Sequence, residues 1–247
     1  MVRSLAIVFF LLFSALCGSV SAASLERAKR LTNAARFQAG LPPLPPSKRE
    51  SGVQPRWSSS APNSCPGKTY VSIWKSGQKF AHLGKHVNAT TGRFDVITTA
   101  PNQGSYLEVQ TTFDSAAHDF KLTNTDSTYS YLGLADPTNG SISELGYAYL
   151  VATAQTAAGA KPTKVGDSRT ASNPDSVSES AIWSVTSTKG FYPIFVNSDG
   201  TKTSGQGVVK QLSSGYEIEF VGDWELFSQS SAGKDFDKAD FYIECAW

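Results

Sequence analysis

The sequence predicts an all-β protein, built as a single antiparallel β-sandwich of jelly-roll-like form. From Trp57 onward, short runs rich in Val, Ile, Thr, Tyr, Phe and Trp alternate with clusters of Gly, Ser, Asn and Asp. Such runs are typical of strands, and such clusters are typical of the turns between them. No part of this region shows the sustained period of an amphipathic helix. Because its Gly-rich runs show a weak threefold similarity, a β-trefoil or a barrel is the alternative arrangement.

The strands are predicted from these apolar or alternating runs, taken in chain order. They are residues 69–74, 80–87, 93–98, 106–111, 119–122, 131–134, 146–152, 181–185, 191–196, 207–212, 216–221, 224–227 and 240–245. Turn chemistry separates several of them, as at Ser76-Gly77, Asp199-Gly200 and Ser214-Gly215. Residues 153–180 contain few apolar side chains, and we expect a long surface loop there.

Alternation within the predicted strands separates a core face from a solvent face. Tyr216, Ile218 and Phe220 share one face of their strand, and we expect that face to lie in the core. Glu217 and Glu219 then lie on the opposite face. The simplest interpretation of that opposite face is a solvated acidic surface on the outside of the sheet.

The first 22 residues have the organisation of a cleavable signal peptide. A basic residue, Arg3, precedes an apolar run, and Val20-Ser21-Ala22 offers the small side chains that a signal peptidase reads. The apolar run, at about a dozen residues, is shorter than the about 20 residues that span a bilayer. The sequence therefore predicts a secreted, extracellular protein with no membrane association after cleavage.

Residues 23–56 form a predicted leader between the signal peptide and the β domain at 57–247. Apolar residues recur at helical spacing over 24–40, and the LPPLPP run that follows favours an extended, stiff segment. The dibasic pair Lys48-Arg49 lies in this proline-flanked stretch. Cleavage there would make the leader a pro-segment, and an uncleaved linker is the alternative.

The net charge of the predicted domain differs from that of the whole chain, because the leader is basic. Residues 1–56 hold eight of the 22 basic residues and two of the 21 acidic ones, so residues 57–247 keep 14 basic and 19 acidic side chains, a net charge of −5. The domain has only two arginines, Arg93 and Arg169. A mildly acidic domain lacks the basic stripe that binds a phosphate backbone, so we expect no nucleic-acid partner.

The cysteines predict one disulfide bond. Cys17 lies in the signal peptide, which leaves Cys65 and Cys245 in the mature protein. Two cysteines in an oxidising compartment have one natural pairing, and free thiols or intermolecular bridges are the alternatives. An intramolecular bond requires the first and last strands to be neighbours. Phe241 and Ile243 share the face of Cys245, and we expect that face to be in the core.

Two sequons predict N-glycosylation. Asn88-Ala89-Thr90 and Asn139-Gly140-Ser141 match the acceptor pattern, and both fall in predicted turns. Exposure in a secreted chain favours occupancy, whereas an unused sequon is the alternative.

Several motifs resemble those of a group of secreted proteins from mushroom-forming (basidiomycete) fungi. They are Glu179-Ser180-Ala181-Ile182-Trp183 (ESAIW), followed by Val196-Asn197-Ser198-Asp199-Gly200, with upstream matches in residues 130–133 and 146–150 and in the leader. The chain departs from the pattern at Phe195, where a Trp is usual. The resemblance implies a fungal origin and secretion, and it implies no activity and no functional residue.

Glu217 and Glu219 are the candidate catalytic residues. A pair of carboxylates on one sheet face is how many glycosidases arrange their acid and nucleophile, about 5 Å apart in the retaining mechanism. Residues two apart on a strand lie about 7 Å apart, so the side chains can meet. A secreted glycan hydrolase is therefore the alternative function.

A non-catalytic binding role is the preferred function. The candidate contacts are aromatic residues in or near turns: Trp57, Tyr129, Tyr131, Tyr147, Tyr149 and Trp224. Such rings bind sugars on many β-sandwiches, although core or rim packing is the commoner use. The partner expected on this basis is an extracellular or cell-wall glycan.

No cofactor or metal site is predicted. His82 and His86 share a strand face but lie about 13 Å apart, which is too far for one ion in a regular strand. We expect them to be solvated surface side chains, as we do His118.

Overall fold

The computed structural model describes residue 65 and residues 67–98, 102–136, 140–143 and 145–246. The predicted signal peptide, the predicted leader, Trp57 and Asn139 lie outside these residues. In chain order the elements are β1 (Thr69–Lys75), β2 (Gln78–Val87), β3 (Phe94–Ile97), a 3-10 turn (Gln103–Ser105), β4 (Val109–Gln110), β5 (Phe120–Leu122), β6 (Tyr131–Ala135), β7 (Tyr147–Thr153), β8 (Ser178–Glu179), β9 (Trp183–Val185), β10 (Gly190–Val196), β11 (Lys202–Ser204), β12 (Gln206–Leu212), β13 (Gly215–Val221), α1 (Trp224–Gln229) and β14 (Phe236–Cys245).

The strands form one antiparallel sheet that curls into a half-barrel. Its main path runs β3-β2-β1-β14-β12-β13-β7-β6-β5-β4, while β9, β10 and β11 join it through β14 and β8 pairs with β6. An isolated bridge between Tyr70 and Glu108 brings the chain just before β4 back to β1. The predicted all-β antiparallel class is confirmed.

An aromatic cluster fills the centre of the core. Trp183 is fully buried, and its rings lie 5.4 Å from Phe191, 5.5 Å from Phe220 and 5.6 Å from Phe120. Because a buried indole N–H needs an acceptor, it donates to the Leu132 carbonyl over 2.8 Å. This anchors β9 to β6 across the core.

The alternation assigned from sequence places the core faces of β13 and β14 correctly. Ile218 and Phe220 are buried, and Tyr216 packs against the core at the strand's end. Phe241 and Ile243 are buried in the same way on β14. The opposite face of each strand therefore points away from the aromatic core.

The disulfide bond is confirmed. Cys65 and Cys245 are bonded, with their Cα atoms 5.4 Å apart and a sequence separation of 180 residues. The two cysteines lie close together because β1 pairs antiparallel with β14, which places Thr69 opposite Cys245.

The strand predicted over residues 224–227 is wrong, because these residues form helix α1. The Asp223 side chain accepts a hydrogen bond from the Leu226 N–H over 3.0 Å, which caps the first turn. The helix buries Phe227 against Val208 and Val221 on the outward face of the sheet. It is six residues long, too short to show a helical period in the sequence.

The long surface loop predicted over residues 153–180 is also wrong in part. This stretch contains β8, and Asp167, Ser176, Ser178, Glu179 and Ser180 within it are buried. Polar side chains are tolerated there because they bond one another, as Ser176 does when it donates to Asp167 over 2.7 Å.

Candidate functional site

The outward face of β14 carries an open cleft next to the disulfide bond. We call it cleft A; it has a volume of about 840 Å³. Its lining includes Tyr70, Lys79, His82, Tyr106, Lys189 and Glu244. The lining therefore combines aromatic rings with charged and hydrogen-bonding side chains.

Strand register brings these residues together from distant parts of the chain. Tyr70 of β1 lies opposite Glu244 of β14, and His82 of β2 lies opposite Ser72 of β1. Because residues two apart share a face, Tyr70 and Ser72 point to the same side of the sheet. The segment just after the 3-10 turn adds Tyr106 through a bridge with Gly84.

A charged group is fixed inside cleft A. The Glu244 carboxylate lies 3.0 Å from Nε2 of His82 and 3.3 Å from Nζ of Lys79. Although partial burial opposes ionisation, hydrogen bonds from His82 and Lys79 and the Lys79 charge hold the pKa of Glu244 below its usual range. The His82 ring stacks on Tyr106 with 3.9 Å between centroids, so the orientation of this carboxylate is set from two sides.

A second cleft continues along the same face of β14. We call it cleft B; its volume is about 440 Å³, and its lining includes Thr186, Gly190, Tyr192, Gln206, Asp240 and Tyr242. The Tyr242 ring packs on Trp74 with 5.3 Å between centroids, which holds it upright on the sheet.

Lys189 belongs to a turn whose residues line both clefts. It lines cleft A, and the next residue, Gly190, lines cleft B. Its backbone has a φ of 66°, a left-handed conformation that costs free energy for a residue with a Cβ. The Lys189 carbonyl accepts a hydrogen bond from the Ile243 N–H over 2.9 Å, and its Nζ lies 3.1 Å from Cys245 Sγ. The turn is therefore held firmly against the end of β14.

The two candidate catalytic residues lie elsewhere, on the outward face of β13. Glu219 is 4% exposed, so the predicted solvated acidic surface is wrong. Glu217 forms an ion pair with Arg93, whose guanidinium lies 4.4 Å from the Tyr149 ring. Glu219 lies opposite Tyr149 in the pairing of β13 with β7. Arg93, which precedes β3, therefore covers this part of the sheet.

Glu219 has a strongly shifted pKa in this pair. Burial, and then the charge of Glu217, raise the pKa of Glu219 well above its usual range, although the Arg93 charge opposes this. Glu219 is therefore protonated at neutral pH and shares a hydrogen bond with Glu217, which also contacts the Arg93 guanidinium. The arrangement is an internal acid pair with its own counterion.

The histidines are not all solvated as predicted. His86 is exposed and bonds Asp126 over 2.7 Å, but the His82 side chain is only 13% exposed in cleft A. His118 is partly buried, with Nδ1 at 2.8 Å from the Ala116 carbonyl and Nε2 at 2.8 Å from the Thr111 hydroxyl. Among the described residues, no three Cys, His, Asp or Glu side chains are grouped as a metal ion would need.

The aromatic residues chosen from the sequence are not those that line the clefts. Tyr147 packs on Phe227, Trp224 packs on the same small cluster, and Tyr149 lies beneath two arginines. Tyr192 and Tyr242 line cleft B and are partly exposed, whereas Tyr70 and Tyr106 line cleft A but are buried. One signal in the sequence indicates this face: Asp240, Tyr242 and Glu244 alternate on the non-core side of the strand predicted over residues 240–245.

The Asn88 sequon lies at an exposed turn after β2. Its side-chain oxygen accepts hydrogen bonds from the N–H groups of Thr90 and Thr91 over 2.9 and 3.0 Å. The Asn88 side chain is therefore exposed at this turn. The second sequon, at Asn139, lies outside the described residues.

Comparison of the chain with protein-family models, with curated proteins and with solved structures finds no match. Within the described part of the chain, no helix is long and apolar enough to cross a membrane.

Proposed function

We propose that this chain is a secreted, non-catalytic β domain that binds an extracellular or cell-wall glycan in clefts A and B. The observation that carries the proposal is that one sheet face joins the partly exposed rings of Tyr192 and Tyr242 in cleft B to the oriented carboxylate and histidine of cleft A. A sugar ring offers an apolar C–H face to an aromatic ring and hydroxyl groups to polar side chains. A site with both kinds of group in one cleft suits such a ligand.

A third cavity on the molecule fits this ligand less well. It also measures about 840 Å³ and is lined by residues such as Lys68, Glu108, Thr111 and His118. Among the described residues that line it there is no Tyr, Trp or Phe. It therefore offers hydrogen bonds but no tyrosine, tryptophan or phenylalanine ring on which a sugar can pack.

Secretion is part of the proposal, and three features support it. The first 22 residues have the signal-peptide pattern, the fold is closed by the Cys65–Cys245 bond, and Asn88 is an exposed sequon. Disulfide bonds persist in oxidising compartments, which agrees with an extracellular location. The resemblance to secreted basidiomycete proteins agrees with it as well.

A glycan array tests the proposed function. The mature, disulfide-bonded domain is applied to an array that includes cell-wall polysaccharides, beside a Glu244→Gln variant and an Asp126→Asn control on the exposed His86 pair. We expect binding to at least one glycan class. Loss of the charged hydrogen-bond acceptor should weaken that binding about tenfold, and the control should bind as the wild type does. Absence of binding to every glycan, or equal binding by the Glu244→Gln variant, would contradict the proposal.

A glycan hydrolase using Glu217 and Glu219 is the second candidate. The observation in its favour is the raised pKa of Glu219 beside a second carboxyl group, because such enzymes use one carboxylic acid that stays protonated at neutral pH. The two carboxyl groups share a hydrogen bond, however, whereas a retaining enzyme separates them by about 5 Å to admit the sugar. A Glu217→Gln, Glu219→Gln double variant decides the matter: glycan hydrolysis by the wild type and none by the variant would establish the enzyme.

A further inference from the structure

Resting on the proposed function, we infer that the ligand is an extended, uncharged oligosaccharide that lies along β14 and occupies clefts A and B together. A single sugar bound in one cleft would leave half of this face unused. Two features of this face support the inference: the spacing of the outward side chains on β14 and the balance of charges in the two clefts.

The outward side chains of β14 define the length of the site. Asp240, Tyr242 and Glu244 follow one another at two-residue intervals on this face. Successive outward side chains on a strand lie about 7 Å apart, so Asp240 and Glu244 are about 13 Å apart. Asp240 and Tyr242 line cleft B, and Glu244 lines cleft A. The site is therefore longer than one sugar ring and runs across the two clefts in order.

Gly190 lets the Tyr242 ring lie close to the turn that carries Lys189. A Cβ placed on Gly190 would lie 3.3 Å from the Thr186 hydroxyl and 3.3 Å from the Tyr242 ring. A larger side chain at this position would therefore displace Tyr242, which lines cleft B.

The charged side chains of the two clefts balance in number. Cleft A holds Lys79, Lys189 and Glu244, and cleft B holds Asp240. Two lysines against two carboxylates leave this face with no net charge, whereas attraction of a polyanion requires an excess of positive charge. An uncharged chain, whose hydroxyl groups can both donate to carboxylates and accept from lysines, matches this lining.

The test is a length series measured by calorimetry on the disulfide-bonded domain. The probes are glucose- and N-acetylglucosamine-based oligosaccharides from the monosaccharide to the hexasaccharide, with oligogalacturonate as the anionic comparison. We expect the longest uncharged probe of one series to bind at least about tenfold more tightly than its monosaccharide, and oligogalacturonate to bind no better than uncharged chains.

Two variants test whether cleft B supplies the additional affinity for long chains. Tyr192→Ala, in cleft B, should reduce the affinity for long chains to that for short ones and leave short-chain binding in cleft A unchanged. Tyr131→Ala, on β6 and outside both clefts, should bind as the wild type does. If the monosaccharide binds as tightly as the hexasaccharide, or if oligogalacturonate binds best, the inference fails while the proposed function stands. If no probe and no arrayed glycan binds, the proposed function itself fails.

Discussion

Arg169 lies over the ring of Tyr149, with its guanidinium carbon 4.0 Å from the ring centroid. Arg93 lies 4.4 Å from the same centroid, so both arginines of residues 57–247 meet at one tyrosine. Each arginine also has a carboxylate partner: Arg169 bonds Asp136 over 2.7 Å, and Arg93 bonds Glu217. The tyrosine thus joins two ion pairs on the outward face of the sheet, and cations over a ring add to the attraction.

Removal of Arg93 should destabilise the fold strongly. Arg93→Ala leaves the Glu217 carboxylate without its counterion beside the buried Glu219. Loss of one partner from a largely buried pair costs about 3 kcal/mol in the free energy of unfolding. Urea unfolding measures this cost. The matched control is Lys164→Ala, which breaks the exposed pair with Asp175 and should leave the unfolding midpoint unchanged. Equal midpoints for wild type and Arg93→Ala would show that the pair adds nothing.

Stability should fall as the pH rises above the acidic range. Glu179 is 1% exposed; one carboxyl oxygen accepts from the Val196 N–H over 3.2 Å, and the other has no partner among the described residues. Burial raises the pKa of Glu179 from 4.5 to about 8. Folded protein therefore holds this proton where the unfolded chain has lost it, and the free energy of unfolding decreases between about pH 4.5 and pH 8.

The size of this decrease is of the order of 4 kcal/mol for Glu179, and Glu219 adds to it because its pKa is raised as well. Urea unfolding at intervals across this pH range measures it. Glu179→Gln has no proton to lose, so its profile should be flatter, whereas the exposed-acid control Glu225→Gln should keep the wild-type decline. A wild-type profile that rises with pH over this interval would disprove the assignment.

The sequence could predict which residues form strands and which face of a strand is buried, because both depend on local alternation. It could not predict that Glu219 is buried, since the residue that covers it, Arg93, lies far away in the sequence. Cleft A cannot be predicted from the sequence for the same reason. Tyr70, His82 and Glu244 come together only through the pairing of β1 with β2 and β14. Local patterns carry no information about such register.

The short helix shows a different limit. Helix α1 exists because Asp223 caps it and Phe227 fills a gap on the sheet, and both effects act over a single turn. Six residues are too few to distinguish a helical period from a strand. The sequence of residues 224–227 is compatible with a strand or a helix. Packing against the sheet stabilises the helix.

Reduction of the disulfide bond should lower stability without changing the strand order. The bond closes a loop with a sequence separation of 180 residues, for which chain entropy gives a stabilisation of up to about 5 kcal/mol. Urea unfolding with and without reductant measures the difference, and a Cys65→Ser, Cys245→Ser double variant should match the reduced wild type. Two free thiols in the unreduced, unfolded mature protein would contradict the bond itself.

Asn88 should carry an N-linked glycan when the chain passes through a eukaryotic secretory pathway. Its turn is exposed, and the Thr90 backbone N–H bonds the Asn88 side-chain oxygen, so both residues that the acceptor pattern requires are accessible together. Enzymatic deglycosylation should increase the gel mobility of the wild type. For Asn88→Gln this increase should be smaller, because the glycan at Asn88 is already missing. Thr90→Ala keeps the asparagine but removes the acceptor pattern, so it should reduce the mobility increase by the same amount. Agreement between the two variants separates loss of the acceptor pattern from a change in folding. If both variants shift as the wild type does, Asn88 is unoccupied and any glycan present is attached elsewhere.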